Sequence, residues 1–311
     1  MTPPCRAGLI TTGASKMLFQ HIKRLALFVL VNALCTFLCY LIIPFVLKLF
    51  GIDIGGSRGM LLFFFVYGMM GSAISVVLSK PMVKRSYGVR TIAVPRNDDE
   101  RWLVETVKYI ADRKGVKMPE VGIWQSSEVN AFATGWNRDD ALVAVSSAIL
   151  SRMNRNELKA VLGHELSHVA NGDMVTMGII QGIINAFVLW LSVLVASMLS
   201  GRGDRDGRAG SAVGYYVIQP VLQIVFGLFG TIVVRWFSRW REYRADAGSA
   251  AVYGKAPMIA ALRALGAGPS PKLRPDGTGC LCINDGFSFT ELMSTHPTLE
   301  KRIAALEKLP N

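Results

Sequence analysis

The sequence predicts an α+β protein that combines a four-helix membrane anchor with a domain at the cytoplasmic face. Three observations support this fold class: four long apolar runs, basic residues beside those runs, and short strands followed by a capped helix. Of the 311 residues, 51% are hydrophobic and only 18% are charged. Soluble globular proteins carry about 25% charged residues. The composition therefore argues against an ordinary soluble enzyme and against a disordered chain.

The four apolar runs are uncharged and contain 20 to 27 residues each, and a helix needs about 20 residues to cross a bilayer. Such runs must be helical in lipid, because the backbone finds no water there to bind. We interpret the first run as a retained anchor, since it is too long for a signal peptide and lacks a small-residue cleavage site. The predicted spans are Leu25–Leu47, Met60–Ser79, Met174–Ser200 and Ser211–Val234.

Charges beside the spans predict the orientation of the protein in the membrane. Basic residues precede the first span and follow the second and the fourth, whereas the two short connecting loops have no such excess. Because basic loops stay in the cytoplasm, both termini and all long segments are predicted to be cytoplasmic. The net charge of +12 is concentrated beside the spans, where anionic lipid explains it, so a nucleic-acid partner is disfavoured.

The predicted domain organisation follows from this layout. An N-terminal cytoplasmic segment and two spans precede the first part of the domain, and a membrane hairpin separates it from the second part. The boundaries are 1–24, 25–79, 80–173, 174–234 and 235–311. In the first part we predict a helix, three strands and a further helix, which starts at a capping box and stops before Gly172. These are Glu100–Lys114, Val121–Trp124, Asn130–Thr134, Ala141–Ser146 and the stretch from Asn154 to about Ala170.

The motif with the clearest chemical meaning is His164-Glu165-Leu166-Ser167-His168, within the last of these helices. Residues four apart lie on one helix face, so both imidazoles can bind one Zn²⁺ ion. A zinc ion would acidify a water molecule, and Glu165 could accept its proton as a general base. The chain has only four histidines, and two of them occur in this motif. A zinc site is therefore favoured over a chance match.

A catalytic zinc ion needs a third protein ligand and one open position. Asp173 is near in sequence but follows the predicted helix stop, so Glu242 is the better candidate. The hairpin of the third and fourth spans leaves the membrane and returns to it, which brings Glu242 back towards the histidines. Asp246 lies four residues after Glu242 and is predicted to accept an N–H from a ligating histidine. In the alternative interpretation, both carboxylates pair with neighbouring arginines on a solvated surface.

Taken together, these motifs resemble the gluzincin membrane proteases of the HtpX type, which are related to the CAAX prenyl protease. The resemblance covers nearly the whole chain after about Lys16. It implies a cytoplasmic zincin-like metalloprotease domain with one Zn²⁺ ion per chain. The matching stretches occur in the family's order and are Asn130–Gly135, Gly163–Asp173, Glu242–Asp246 and Ser294–Pro297 with Arg302.

The resemblance also implies a biological setting and further residue roles. The protein would be an ATP-independent endopeptidase of the bacterial inner membrane, with polypeptide substrates such as misfolded membrane proteins under stress. Glu242 would be the third zinc ligand. His296 and Arg302 would line the cleft, where a donor group can stabilise an oxyanion; alternatively, His296 caps a turn before Pro297. An extended substrate would lie along an edge strand formed by Asn130, Ala131, Phe132, Ala133 and Thr134.

Two other functions remain open from the sequence. An inactive zinc-fold scaffold or regulatory protein is disfavoured by the intact ligands and Glu165. A prenyl-peptide protease is disfavoured because such relatives have more than four spans. Cys280 and Cys282 are expected to be reduced thiols rather than a second metal site, since no second cysteine pair lies nearby. The sequence makes no prediction of the oligomeric state.

Overall fold

The computed structural model describes residues 44–45, 48–49, 51, 57–200, 210–266 and 295–310. Most of the first predicted span therefore lies outside the described residues. Cys280 and Cys282 also lie outside them. The chain divides into two compact units. The smaller unit consists of Met1–Phe63 with Arg274–Gly277. The structure describes a few helical residues of this unit. The larger unit, Phe64–Leu273 with Thr278–Asn311, contains the sheet, most of the first helix below and all the other helices below.

Eight helices and four strands make up the described part of the chain. In order they are α1 (Ser57–Tyr87), β1 (Arg90–Thr91), α2 (Asp98–Lys114), β2 (Glu120–Trp124), β3 (Ala131–Asn137), β4 (Asp140–Ser146), α3 (Ser147–Arg152), α4 (Arg155–Asn171), α5 (Asp173–Ser200), α6 (Gly210–Tyr253), α7 (Lys255–Gly266) and α8 (Leu299–Glu307). The predicted helices and strands in this part are confirmed. Only the two-residue strand β1 and the short helices α3, α7 and α8 had not been predicted.

Three of the described helices, α1, α5 and α6, are long and apolar enough to cross a membrane. They contain the second, third and fourth predicted spans. Helix α6 continues without interruption from the apolar run through to Tyr253. Because of this continuation, Glu242 and Asp246 lie on a rigid extension of a candidate membrane helix.

Small residues allow α1 and α5 to pack with their backbones close together. A Cβ atom added at Gly68 would lie only 2.6 Å from the carbonyl oxygen of Gly182. One turn further along, the Ser72 hydroxyl donates to the carbonyl oxygen of Gly178. Close contact between small residues is the usual way in which helices associate in lipid.

The four strands form one sheet in the order β1-β2-β4-β3. Strand β2 is parallel to β4, whereas β1 and β3 pair antiparallel to β2 and β4. Strand β3 therefore lies at an edge, as predicted. Asn130 precedes this strand, and its carbonyl oxygen accepts a hydrogen bond from the Ser146 backbone N–H.

Alternation along β3 directs its side chains to two different clusters. Ala131 and Ala133 contact the main core, which also contains buried residues of α2, α4 and α7. Phe132 lies on the opposite face with Trp124, at a ring-centroid distance of 5.0 Å, and Tyr87 packs beside them. The alanines occupy little space, so α4 can pack closely against the sheet.

Both ends of α4 are fixed by its own sequence. The Asn154 side chain accepts from the backbone N–H of Glu157, and the Glu157 carboxylate accepts from the Asn154 N–H, each at 3.0 Å. This capping box confirms the prediction. Gly172 ends the helix with φ 68°, a conformation that glycine adopts without steric cost. Helix α5 begins at the next residue, so Asp173 lies beside the last turn of α4.

Candidate metal centre

His164, His168 and Glu242 come together as the sequence predicted, and all three side chains are buried. The two Nε2 atoms are 3.1 Å apart. Glu242 Oε2 lies 3.4 Å from His164 Nε2, and Glu242 Oε1 lies 3.3 Å from His168 Nε2. The fold thus closes the long sequence separation between α4 and α6.

These spacings fit a tetrahedral metal ion. Bonds of about 2.0–2.1 Å at tetrahedral angles place two ligand atoms about 3.3 Å apart. The carboxylate oxygens of Glu242 are buried and make no hydrogen bond of good geometry to any described residue, so their lone pairs can bind a cation. A buried carboxylate without such partners is costly. The cluster could therefore hold a metal ion.

The second nitrogen of His164 contacts the carboxylate that the sequence assigned to it. His164 Nδ1 lies 2.9 Å from Asp246 Oδ1. Asp246 also accepts two hydrogen bonds from Arg302, from Nε at 2.8 Å and from Nη2 at 2.6 Å. This arrangement favours a proton on Nδ1 and leaves Nε2 for a metal ion.

Asp173 supports His168 in the same way. Asp173 Oδ2 lies 2.6 Å from His168 Nδ1, and Asp173 is 1% exposed. From the sequence, Asp173 was a candidate only as a zinc ligand, and Glu242 was preferred in that role. The signal was present in Gly172, because a left-handed residue at a helix end returns the next residue towards the last turn.

Glu165 lies between α4 and the edge strand. Its carboxylate accepts a hydrogen bond from the Ala133 backbone N–H, and the residue is 1% exposed. Burial raises the pKa of Glu165, although the neighbouring His164 and His168 favour its charged form. The carboxylate is thus held beside both the histidines and the strand.

His296 and Arg302 occupy different positions around the cluster. His296 Nδ1 lies 2.9 Å from Glu242 Oε2, and the residue is 5% exposed. The family resemblance implies that Arg302 lines the cleft. In the structure this residue is fully buried, and its Nη2 lies 3.4 Å from His164 Nδ1. Arg302 Nη1 also lies 3.8 Å from Glu242 Oε2, so this guanidinium is close to the ligand carboxylate as well as to Asp246.

The carboxylates also affect protonation of the histidines. Considering the protein groups alone, burial opposes charge on the His164 ring, but its contacts with the carboxylates of Asp246 and Glu242 outweigh this and raise the pKa of His164 to about 9. Burial likewise opposes charge on His168, and the charge of Glu242 and the contact with Asp173 raise its pKa. The cluster is therefore strongly attractive to positive charge.

Sequence reasoning did not find Arg241, which precedes Glu242 on α6. Arg241 is 1% exposed, and its Nε lies 3.8 Å from Glu242 Oε1. Its Nε and Nη2 atoms are buried without a hydrogen bond to the described residues. The sequence offered no signal for this burial, because a run of arginines beside a span suggests a solvated surface.

Comparisons with known proteins agree with this site. Residues 97–310 match the model of peptidase family M48. A protein from Tolumonas auensis described as Protease HtpX is 46% identical over 291 residues, which are 92% of this chain and 99% of that protein. Protease HtpX of Aeromonas hydrophila is 46% identical over 288 residues (91% and 99%). Protease HtpX of Acinetobacter baumannii is 45% identical over 302 residues (92% and 98%).

A solved structure shares the fold. The crystal structure of S. mikatae Ste24p is similar with a TM-score of 0.60 at 19% identity. The similarity covers 93% of this chain and 65% of the Ste24p chain, so this chain spans about two thirds of that protein's length.

Proposed function

Because the chain belongs to peptidase family M48 and is a membrane metalloprotease, we propose that it is a zinc endopeptidase of the bacterial inner membrane. It acts at the cytoplasmic face and degrades misfolded or damaged membrane proteins. The observation that carries the zinc assignment is that one ligand atom each of His164, His168 and Glu242 lies within 4.8 Å of the others, with the two Nε2 atoms 3.1 Å apart.

His164, His168 and Glu242 would hold the zinc ion, through two Nε2 atoms and a carboxylate oxygen. When bound, zinc would lower the pKa of a water molecule to about 7 and polarise the peptide carbonyl. Asp246 and Asp173 hold the two imidazoles in the tautomer that leaves Nε2 unprotonated. Arg302 holds Asp246 and, as a cation whose Nη1 lies 3.8 Å from Glu242 Oε2, is proposed to help stabilise the oxyanion at the cleft.

Glu165 is the general base in this proposal. Its carboxylate accepts a proton from the attacking water and passes it to the leaving amine nitrogen. Strand β3 supports this role, because its Ala133 N–H already holds the Glu165 carboxylate. A substrate that pairs with the outer edge of β3 as an extended strand would lie beside Glu165. Residues 130–134 would then position the substrate backbone.

His296 is proposed to stabilise the oxyanion that forms on the cleaved carbonyl. Its ring is held 2.9 Å from Glu242, next to the ligand atoms. A donor preorganised in a water-poor site is worth about 10² to 10³ in rate. His296→Ala should therefore lower kcat more strongly than it changes KM.

The proposed topology follows the predicted one. Residues 1–24, 80–173 and 235–311 lie in the cytoplasm, and 25–79 and 174–234 contain two spans each. The continuity of α6 from its apolar run to Glu242 supports a metal centre close to the membrane surface. Single cysteines at Arg90 and Arg58, in a background without the natural cysteines, test the orientation. A membrane-impermeant thiol reagent added to intact cells should label the second position only.

Metal analysis combined with proteolysis tests the central proposal. Purified protein should contain about one zinc per chain and should cleave an unfolded protein until a chelator is added. Glu165→Gln should retain zinc without cleaving, whereas Glu242→Gln should lose both. Cleavage that persists in Glu165→Gln would contradict the assigned base. Full zinc content in Glu242→Gln would contradict the assigned ligand.

A further inference from the structure

The direction of strand β3 relative to the membrane follows from its contacts with α1. The Thr134 hydroxyl donates a hydrogen bond to the hydroxyl of Ser79 at 3.0 Å, and Ser79 is the last residue of the second predicted span. Tyr87 ends the same helix about 12 Å further along its axis, and its ring centroid is 5.8 Å from that of Phe132. Residue 134 therefore lies nearer to the membrane than residue 132, and β3 runs towards the membrane surface.

Further contacts place the turn between β3 and β4 at the same level. Lys80 directly follows the predicted span and forms ion pairs with Asp140 and, at 2.8 Å, with Glu120. Asp140 begins β4, and its carboxylate also accepts a hydrogen bond from Trp136 Nε1 at 2.7 Å. The end of β3 that contains Trp136 is therefore its membrane-proximal end, and Ala131 lies at its distal end.

The backbone groups on the outer edge of β3 alternate with those that pair with β4. The Asn130 carbonyl oxygen accepts from the Ser146 N–H across the sheet. By alternation, the N–H and C=O groups of residues 132 and 134 also face β4, whereas those of 131, 133 and 135 face outwards. The Ala133 N–H donates to the Glu165 carboxylate, in agreement with this alternation. A substrate strand on this edge thus passes the proposed base one residue away from Thr134, which contacts the end of the span.

Helix α6 gives an independent distance between the metal centre and the membrane. The fourth predicted span ends at Val234, and the helix continues without interruption to Tyr253. Glu242 therefore lies about 12 Å beyond the end of the span. An extended chain advances about 3.3 Å per residue, so about four residues bridge the distance from the membrane surface to the metal centre.

We propose that the protein cleaves cytoplasmic segments that directly follow a transmembrane span of the substrate, beginning about four residues after that span. Because β3 runs towards the membrane, a substrate that pairs antiparallel to β3 runs away from the membrane in its own N-to-C direction. Antiparallel pairing is the more stable kind per residue, and it repeats the ladder of β3 with β4. A segment that precedes a span must pass the whole strand and turn back. This inference rests on the proposed function at the cytoplasmic face and adds a substrate geometry to it.

Two model substrates with the same apolar span and the same unfolded tail test this direction. The tail follows the span in one substrate and precedes it in the other. Each substrate is reconstituted in liposomes with the full-length protein, and mass spectrometry locates the cleaved bonds. When the tail follows the span, the first cleavage should lie about four residues from it. When the tail precedes the span, the first cleavage should lie at least about seven residues further out, because the chain must first pass the seven residues of β3.

Short tails convert this difference in position into a difference in rate. A tail of about eight residues is long enough to reach the metal centre only when it follows the span. Its kcat/KM should then be at least about tenfold higher than that of the same tail placed before the span, where no peptide bond reaches Glu165. The free tail without a span is the matched control for the tail sequence, and Glu165→Gln should cleave none of the three substrates.

Photo-crosslinking in the Glu165→Gln variant gives a readout that does not depend on turnover. A photoreactive phenylalanine analogue replaces Trp136 at the membrane-proximal end of β3, where the native side chain is 48% exposed. The matched probe replaces Glu128, just before the distal end of the strand. With the tail after the span, the probe at 136 should react with tail residues close to the span, and the probe at 128 with residues further out.

The possible results separate this inference from the protease assignment. Equal first-cleavage distances in the two substrates, or the reverse order of crosslinks, would overturn the proposed direction. First cleavages beyond about 15 residues in both substrates, with the free tail still cleaved, would overturn the placement close to the membrane and leave the protease assignment intact. Failure to cleave the free tail as well would overturn the protease assignment, and this inference with it.

Discussion

The two histidines of the metal centre are supported in different ways. His168 contacts Asp173, which begins α5 only one residue after α4 ends. His164 contacts Asp246 on α6, and that carboxylate is in turn bound by Arg302 on α8. The first support forms with a local turn, whereas the second forms only when three distant helices pack. We call the contact of Asp173 with His168 the local side and the contacts of Asp246 with His164 and Arg302 the remote side. Removing the local support should lower metal affinity, whereas removing the remote support should lower the free energy of unfolding.

Asp246→Ala should give the largest effect. The change leaves the Arg302 guanidinium buried without its carboxylate, and breaking a buried ion pair by removing one partner costs about 3–5 kcal/mol. Both residues are essentially inaccessible to solvent, so water cannot replace the lost contact. Denaturant unfolding in detergent, followed by tryptophan fluorescence, should show this loss of unfolding free energy.

The double variant Asp246→Leu/Arg302→Met is the control for that mechanism. Replacing both members of a buried ion pair by apolar groups is often neutral or stabilising. The double variant should therefore unfold at higher denaturant concentration than Asp246→Ala, while its zinc affinity remains weak. A double variant as unstable as the single one would show that the cost arises from packing rather than from the unpaired charge.

Asp173→Asn should have a smaller effect, and on a different property. The amide keeps the shape of the side chain but removes the charge that orients His168. Loss of such a partner typically lowers metal affinity about 10- to 100-fold. Competition with a fluorescent zinc chelator should measure this decrease, with unfolding free energy within about 1 kcal/mol of the wild type. A loss of stability as large as that of Asp246→Ala would remove the distinction between the two sides.

The difference between local and remote contacts also explains which parts of the fold and of the metal centre could be predicted from the sequence. The helix that carries both histidines was predictable, because capping at Asn154, helical spacing of the histidines and the stop at Gly172 are all short-range signals, although the contact of Asp173 with His168 was missed. The strand order was not predicted, since β1 has two residues and shows no alternation. Glu242 and Asp246 were found only because the two apolar runs before them imply a hairpin that returns to the same membrane face.

The remote side was harder to predict because burial depends on helices that are far apart in sequence. The family resemblance implies that Arg302 lines the cleft, but nothing in the sequence indicated that the packing of α8 would bury it against Asp246. The burial of Arg241 next to Glu242, which follows from the packing of α6, was not predicted. No local pattern distinguishes a buried arginine from an exposed one. Their environments follow from tertiary contacts alone.

Arg241→Met sharpens the comparison, because it removes a buried guanidinium that is not held by a carboxylate in the way that Arg302 is. The apolar replacement fills similar space and removes the cost of a charge with unsatisfied donors. Its unfolding free energy should be equal to the wild type or higher by up to about 1 kcal/mol. Arg302→Met should be clearly less stable, because it leaves the buried Asp246 carboxylate without its guanidinium partner. Equal losses in the two variants would show that Arg241 is also held by a strong partner.

Lys114→Met should give the smallest effect, visible only as a change in pH dependence. Lys114 on α2 donates to the carbonyl oxygen of Gly248 on α6 at 2.8 Å, and burial lowers the pKa of Lys114 to about 8. Between pH 8 and 10.5 the unfolded chain binds the extra proton, so the unfolding free energy contributed by this group rises with pH. Lys114→Met should lack this rise when unfolding is measured at pH 7.5 and pH 10, whereas the exposed control Lys108→Met should retain it. Identical pH profiles for all three proteins would show that this contact between α2 and α6 leaves the lysine solvated.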